Sequence, residues 1–344
     1  MKGKIFNVVV VCLLVLFAAQ GAFLIVRMSP TVDEVNFHMV NGYAYLNTRD
    51  YRMSPANPAL TREWMALPWF YWKPRLDLDK DSWRAVDSVP FAADFFYNDN
   101  RALADHLLYS SRAMILGLGL VLGWLIHSWS RALYGPWGGL TSLSLYVFSP
   151  SFIAHSSIAH TDLAVSLFVF GSGYALWRYL ETGRARERFI FCAIFGLAAA
   201  CKYHALFFGP VYLAILFFKR GWRDAAKTAA LLGVVSLGVI WASYGFDFKP
   251  ILSNGVPRIQ EKLAMIPAFT RKFALEVPVP APSYWLGLAG ILRSHQEPYR
   301  YFAFGEWTTR PHPVSEAGPR ARSGHRTPAR TVRGPALDEV GDGG

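Results

Sequence analysis

IFNVVVVCLLVLFAAQGAFLIV, residues 5–26, runs almost directly into Ser29-Pro-Thr-Val-Asp-Glu-Val-Asn36, and the two stretches together decide the fold. The first has membrane length, since roughly 20 apolar residues in a helix cross a bilayer core. The second puts two adjacent carboxylates, Asp33 and Glu34, at the boundary where that helix meets water. Ionisable groups near lipid are costly unless they face an aqueous cavity, so this pair is a functional candidate by its position alone. Met1-Lys-Gly-Lys4 and the small residues around Ala18 and Gly21 would also suit a cleavable signal peptide. The run continues through Phe23-Leu-Ile-Val26, however, and more apolar runs follow it. It therefore reads as an uncleaved anchor, with Lys2 and Lys4 holding the N-terminus in the cytoplasm.

Working outward, the composition agrees with a membrane protein. Of the 344 residues, 53% are apolar and 17% charged, where a soluble chain would carry roughly a quarter charged. A net charge of +11 would suggest nucleic acid in a soluble protein. Here the basic residues outside the tail fall largely between apolar runs, which is the positive-inside pattern and points away from nucleic acid. Cys12, Cys192 and Cys201 sit in or beside apolar runs without metal-ligand spacing, so they read as buried thiols.

The segment from residue 27 to about 111 holds no spanning run but many aromatic residues, among them Trp64, Trp69, Trp72, Trp83, Phe95 and Phe96. Such a segment is expected to be a structured extracytoplasmic loop with helices lying in the membrane interface. From Arg112 the apolar pattern predicts helices at about 112–130, 137–154, 162–180, 188–202, 204–218 and 226–245. Alternate connections carry Arg131, then Arg184, Arg186 and Arg188, then Lys219, Arg220, Arg223 and Lys227. The expectation is an all-α polytopic membrane protein of about seven transmembrane helices. Asp33, Glu34 and Asp162 then share the extracytoplasmic side. Residues 246–310 read as a further extracytoplasmic segment. From Pro311 the chain loses all lysine and all aromatic residues. That break is expected to mark either a disordered tail or a frameshift that replaces the native continuation after Trp307.

Several motifs carry candidate chemistry. Ser29, Thr31 and Asp33 suit a helix start as well as an active site. Met53-Ser-Pro-Ala-Asn-Pro-Ala-Leu60 shapes a turn, and that turn or Arg62 beyond it could meet an anionic group. In His155-Ser-Ser-Ile-Ala-His-Thr-Asp162, Thr161 and Asp162 could simply cap the next helix. The two histidines with Asp162 have no spacing specific to a metal, and no metal is inferred. Lys202 could snorkel to headgroups or neutralise a lipid-linked phosphate; Arg293 with His295, and Arg300, are later candidates for that role.

In their order along the chain these landmarks resemble the GT-C-type membrane glycosyltransferases, in particular the protein O-mannosyltransferase and aminoarabinose-transferase-like group. The resemblance rests on Asp33-Glu34 after the first helix, Tyr43-Ala-Tyr-Leu46 with Asp50, Asn57-Pro-Ala-Leu60, Ser149-Pro150 leading to Ala159-His-Thr-Asp162, and Lys202-Tyr203. It covers residues 1 to about 310. It implies inverting transfer of a sugar from a polyprenyl-phosphate donor to an acceptor hydroxyl of a protein, lipid or glycan, at the extracytoplasmic face of a bacterial plasma membrane. By the resemblance Asp33 would be the general base, with Glu34 beside it in the catalytic motif. Asp162 would shape the donor site, and Lys202, Arg62 and Arg293 would stabilise the departing lipid phosphate. Asn57 and Ala59 stand where the family often has His and Pro, and Ser54-Pro-Ala56 stands where some relatives bind a divalent metal. Two other readings stay open at this stage: a truncated, non-catalytic family member, and a polytopic transporter. A transporter should place charges or broken helices near mid-membrane.

Overall fold

The computed structural model describes residues 2–252, 268–294, 301–303 and 306–308. The first of its two compact units spans Met1–Ser294 and is helical almost throughout. Helix α1, Lys2–Arg27, is the first candidate membrane span. A π-helical turn, Glu34–Met39, then runs into α2, Val40–Thr48. Short helices follow: α3, Leu60–Ala66; α4, Trp69–Trp72; α5, Asp81–Arg84; and α6, Ser88–Ala93. They form an aromatic-rich segment, which is held to the bundle by buried aromatic residues. Trp69 is fully buried, stacks on Phe95 at 5.7 Å, and donates its indole N–H to Leu107 O and Ser111 Oγ. The N–H requires such a partner once the ring is dry.

Helix α7, Ala104–Val147, is a long element broken at Gly135, whose φ of 74° departs from helix just before Pro136. Glycine reaches that conformation without steric cost, so α7 is in effect two helices, 104–134 and 136–147. Pro150 then opens α8, Pro150–Ser156, as a first-turn proline. Helices α9, Asp162–Thr182, and α10, Ala185–Cys201, form an antiparallel pair around Gly183 in left-handed geometry. A 3-10 turn, Tyr203–Phe207, leads to α11, Phe208–Arg220, and α12, Trp222–Ser243.

Among the described residues four helices are long and apolar enough to cross a membrane: Lys4–Arg27, Arg101–Val147, Asp162–Thr182 and Trp222–Ser243. The chain is therefore a multi-pass, all-α membrane protein. The sequence-predicted helices at 188–202 and 204–218 correspond to α10 and α11, which at 17 and 13 residues are shorter than those four. Exposed Val8, Val11, Val15, Trp124, Val211, Phe218 and Val234 cover the outside of the bundle, the surface that lipid would meet.

After α12 the strands Phe248–Pro250 and Pro278–Pro280 pair antiparallel, and helix Pro282–Ser294 follows. Tyr284 of that helix is buried, donates to Ala199 O, and accepts on its carbonyl a bond from Tyr203. In the second unit, His295–Gly344, the described residues form one hairpin, Tyr301–Ala303 against Glu306–Thr308. His295, Arg300 and the stretch from residue 311 onward lie outside the described residues.

Candidate active site

Thr31 starts the short helix that carries the acidic pair. The Glu34 N–H donates to Thr31 Oγ1, and Glu34 Oε2 accepts the Thr31 N–H at 2.8 Å. This reciprocal exchange is a capping box, and it satisfies two N–H groups that the first helical turn would otherwise leave orphaned. Glu34, and not Asp33, thus supplies the capping side chain.

Glu34 is fully buried, and its other lone pairs are taken as well. Arg112, also fully buried, donates Nε to Oε1 at 2.7 Å and Nη2 to Oε2 at 2.8 Å, a bidentate pair. The Ala159 N–H adds a third donor to Oε1 at 2.7 Å. Burial alone would raise this carboxyl, but Arg112 and the two backbone N–H groups outweigh it and hold Glu34 below its ordinary value. Arg112 also donates to the carbonyls of Ile25, Met28 and Ser29. A single guanidinium therefore closes the C-terminal end of α1, where carbonyls lack helical partners, and fixes the acidic motif to α7. Arg112 was the first residue of a sequence-predicted helix and drew no functional attention. The available signal was physical: a guanidinium at the head of a span, beside an acidic motif, needs a partner.

Asp33 points the other way. Its side chain is 58% exposed, and it forms no capping bond. Its Oδ2 lies 3.7 Å from His160 Nε2. His160 in turn places Nδ1 3.0 Å from Asp162 Oδ2, in contact but off hydrogen-bond alignment. Asp162 also pairs with Lys202. Thr161 makes no side-chain cap on α9, and its buried Oγ1 has no hydrogen-bond partner. The helix-cap alternative for Thr161 is thus not realised. The loop between α8 and α9, the end of α10 and the turn after α1 meet at one end of the bundle, bringing together Asp33, His160, Asp162 and Lys202.

His38, from the π-helical turn, stands edge-on to the His160 ring with centroids 4.6 Å apart. Burial, with Arg62, His160 and Lys202 nearby, pushes its imidazole well below the ordinary range, so it is neutral. Beside the cluster a groove of about 300 Å³ opens between Ser151, Phe152, His155, Asp162, Ser166 and His204. Neither the meeting of His38 with His160 nor this groove was visible in the sequence, because nothing in the spacing brings residue 38 to 160 or residue 155 to 204.

The remaining sequence candidates fall elsewhere. Arg62 is fully buried and donates to Tyr45 Oη and Ser54 O, with a cation–π contact to Tyr45. Asn57 is half-buried in the 53–59 turn, and Arg293 is exposed near the end of helix Pro282–Ser294. Among the described residues no three His, Cys, Asp or Glu side chains are grouped as a metal ion would need.

The structure is thus a multi-pass helical bundle with an acidic and basic cluster at one end of its helices. A comparison with protein families finds that residues 89–244 match the dolichyl-phosphate-mannose-protein mannosyltransferase family. The match bears out the resemblance to GT-C-type membrane glycosyltransferases, a class that uses polyprenyl-phosphate-linked sugars. It spans α6 to α12 and includes Arg112, His160, Asp162 and Lys202, while Asp33, Glu34 and Arg62 precede it. No curated protein and no solved structure matches the chain.

Proposed function

We propose that this protein is an inverting glycosyltransferase that moves a sugar from a polyprenyl-phosphate donor to an acceptor hydroxyl at the extracytoplasmic face of the membrane. The observation that carries this reading is the division of labour within the acidic pair. Glu34 is enclosed and fully bonded, whereas Asp33 is open beside the Asp162–Lys202 pair.

In this reading Asp33 is the general base. An exposed carboxylate can reach an incoming hydroxyl and take its proton as the oxygen attacks the anomeric carbon. Inversion needs the base on the face opposite the leaving group. That leaving group is a lipid phosphate, already stable as an anion, so it calls for a cation more than for a proton donor. Lys202 is a cation within the cluster, and Asp162 holds it there. Glu34 serves the motif by fixing Asp33's backbone through Arg112, and Arg62 by bracing the 53–59 turn through Ser54. With the N-terminus cytoplasmic, the Asp33 end of the bundle faces outward, as it would in a bacterial plasma membrane.

The test is transfer from polyprenyl-phosphate-linked mannose and aminoarabinose to protein, lipid and glycan acceptors in proteoliposomes, with the product's anomeric configuration read by NMR. The expected result is transfer from at least one donor with inverted configuration. Retention of configuration, or no transfer from either donor, would contradict the proposal.

A further inference from the structure

His160 occupies a place that the proposed reaction does not explain. Its ring lies between two carboxylates from distant parts of the chain, with Nε2 toward Asp33 at 3.7 Å and Nδ1 toward Asp162 at 3.0 Å. The side chain is 19% exposed, and its free volume is limited by His38, which packs against it edge to face. The backbone on either side is also held. The Ala159 N–H is bound to Glu34, and Val165 N–H bonds back to Thr161 O at the start of α9. The ring is thus fixed by its backbone, by a second imidazole and by Asp162.

We propose that His160 is a positioning residue: held by Asp162 and propped by His38, it fixes the orientation of the Asp33 carboxylate. The proposal rests on the reading of Asp33 as the base. An exposed aspartate directly after a membrane helix would otherwise sample several rotamers, and a base that must meet one hydroxyl gains rate from being pre-oriented. An imidazole set between two carboxylates does this by geometry, because each ring nitrogen faces one of them. His38 does not share that place. It is 2% exposed, its Nδ1 has no hydrogen-bond partner, and burial holds its imidazole well below the ordinary range. Its contribution is shape: a neutral ring edge that keeps the His160 ring upright. The charged and titratable groups facing His160 are Asp33 from the turn after α1, His38 from the π-helical turn, and Asp162 of α9. Lys202 stands behind Asp162, and Glu34 lies one residue away on the Ala159 N–H.

The test uses the full chain in lipid nanodiscs with ¹⁵N-labelled histidine, the His160 resonance being identified by its loss in His160→Asn. The expected result is a change in the His160 ring ¹⁵N chemical shifts, read at one fixed pH, in Asp33→Asn and again in Asp162→Asn, because each substitution removes one facing carboxylate. In His38→Phe the shifts stay nearly constant while the ring signal broadens. Ring shifts that do not change in either carboxylate variant overturn the proposal. Since Asp33 is exposed, Asp33→Asn keeps the fold, which near-UV circular dichroism checks. Sugar transfer is measured on the same samples. Unchanged ring shifts alongside loss of transfer in Asp33→Asn refute the positioning role and leave the base intact. Changed ring shifts alongside undiminished transfer refute the base, and the positioning role with it, and leave only the carboxylate–imidazole contact.

Discussion

The two ends of the helical bundle use the same residue types for opposite purposes. At the end formed by Thr182, Gly183 and Gly221, Tyr179 Oη donates to Asp224 at 2.8 Å, and Arg188 lies 3.4 Å from the same carboxylate. Arg220 donates to the carbonyls of Tyr179 and Leu180, closing the C-terminus of α9, where cations also suit the helix dipole. Tyr, Asp and Arg here form a clasp between α9, α10, α11 and α12. At the Asp33 end, Glu34 and Arg112 make a comparable clasp, but a second layer of polar groups lies outside it. Asp33 is open, and His38 Nδ1 and Thr161 Oγ1 are buried without hydrogen-bond partners. Buried polar groups are nearly always paired in a finished fold, and exceptions ask for an explanation. The comparison teaches that a charged cluster in a membrane bundle does not by itself mark a site. Arg188 Nε in the opposite clasp is likewise buried without a partner, so the Asp33 end differs in its open carboxylate and in the imidazoles packed beside it.

Breaking the inner clasp gives the largest expected effect. Arg112→Met leaves the Glu34 carboxylate buried without its ion partner, which should cost about 3–5 kcal/mol of stability. Adding Glu34→Gln should restore part of it, because the uncompensated charge is then gone; thermal unfolding of both variants in detergent checks this. No recovery in the double variant would show that the three carbonyl contacts of Arg112, and not the ion pair, are what the fold needs.

Glu63 gives a smaller effect whose sign depends on pH. It lies on α3 near Tyr51 and Arg49, and burial pushes its carboxyl up to about 7 against the partly opposing influence of Tyr51 and Arg49. An acid whose folded value is raised destabilises the fold once the unfolded chain ionises. Stability should therefore fall as pH rises from near 4.5 to about 7 and level off above that. Glu34 acts in the opposite sense: its folded value is lowered, so its contribution is present above about 4.5 and is lost as pH falls below. Glu63→Gln should remove the decline between pH 5 and 7 and raise the melting temperature at pH 8. A melting temperature with the same pH slope in the variant would contradict the raised value.

At the opposite clasp, Asp224→Asn should cost about 1 kcal/mol, since Asp224 and Arg188 are partly solvated, and should leave sugar transfer unchanged. A loss of transfer beyond what the change in folded fraction explains would undo the distinction between the two ends.

Much of the fold was legible in the apolar pattern. The sequence-predicted helices 162–180 and 226–245 lie within about four residues of Asp162–Thr182 and Trp222–Ser243, because long apolar runs bounded by charge leave little freedom. Boundaries failed where another force competed. The helix predicted from Arg112 begins at Ala104, because its first turns are polar and interfacial and are held by the buried Trp69. The single helix predicted over 137–154 is interrupted before Pro150, a residue that opens helices more readily than it continues them.

The candidate site was legible only in part. Its position after the first span drew attention to Asp33-Glu34, and the Ala159-His-Thr-Asp162 motif and Lys202 were both singled out. Sequence could not say which carboxylate is buried, because adjacent residues point to different sides of a helix and the partner, Arg112, is 78 residues away. Nor could it foresee the burial of Arg62 among Tyr45 and the 53–59 turn, or the meeting of His38 with His160. Those depend on how the aromatic loop docks, and the loop docks through contacts such as the Trp69 indole on Leu107 and Ser111 of α7 that have no local signature.

The division between Asp33 and Glu34 is tested most directly by one variant, Asp33→Asn, assayed for sugar transfer from a polyprenyl-phosphate donor with its melting temperature measured on the same preparation. The account predicts a melting temperature close to that of the unaltered protein and transfer reduced at least about 100-fold, the lower range for loss of a positioned general base. Transfer at the unaltered rate in a folded Asp33→Asn protein would contradict it.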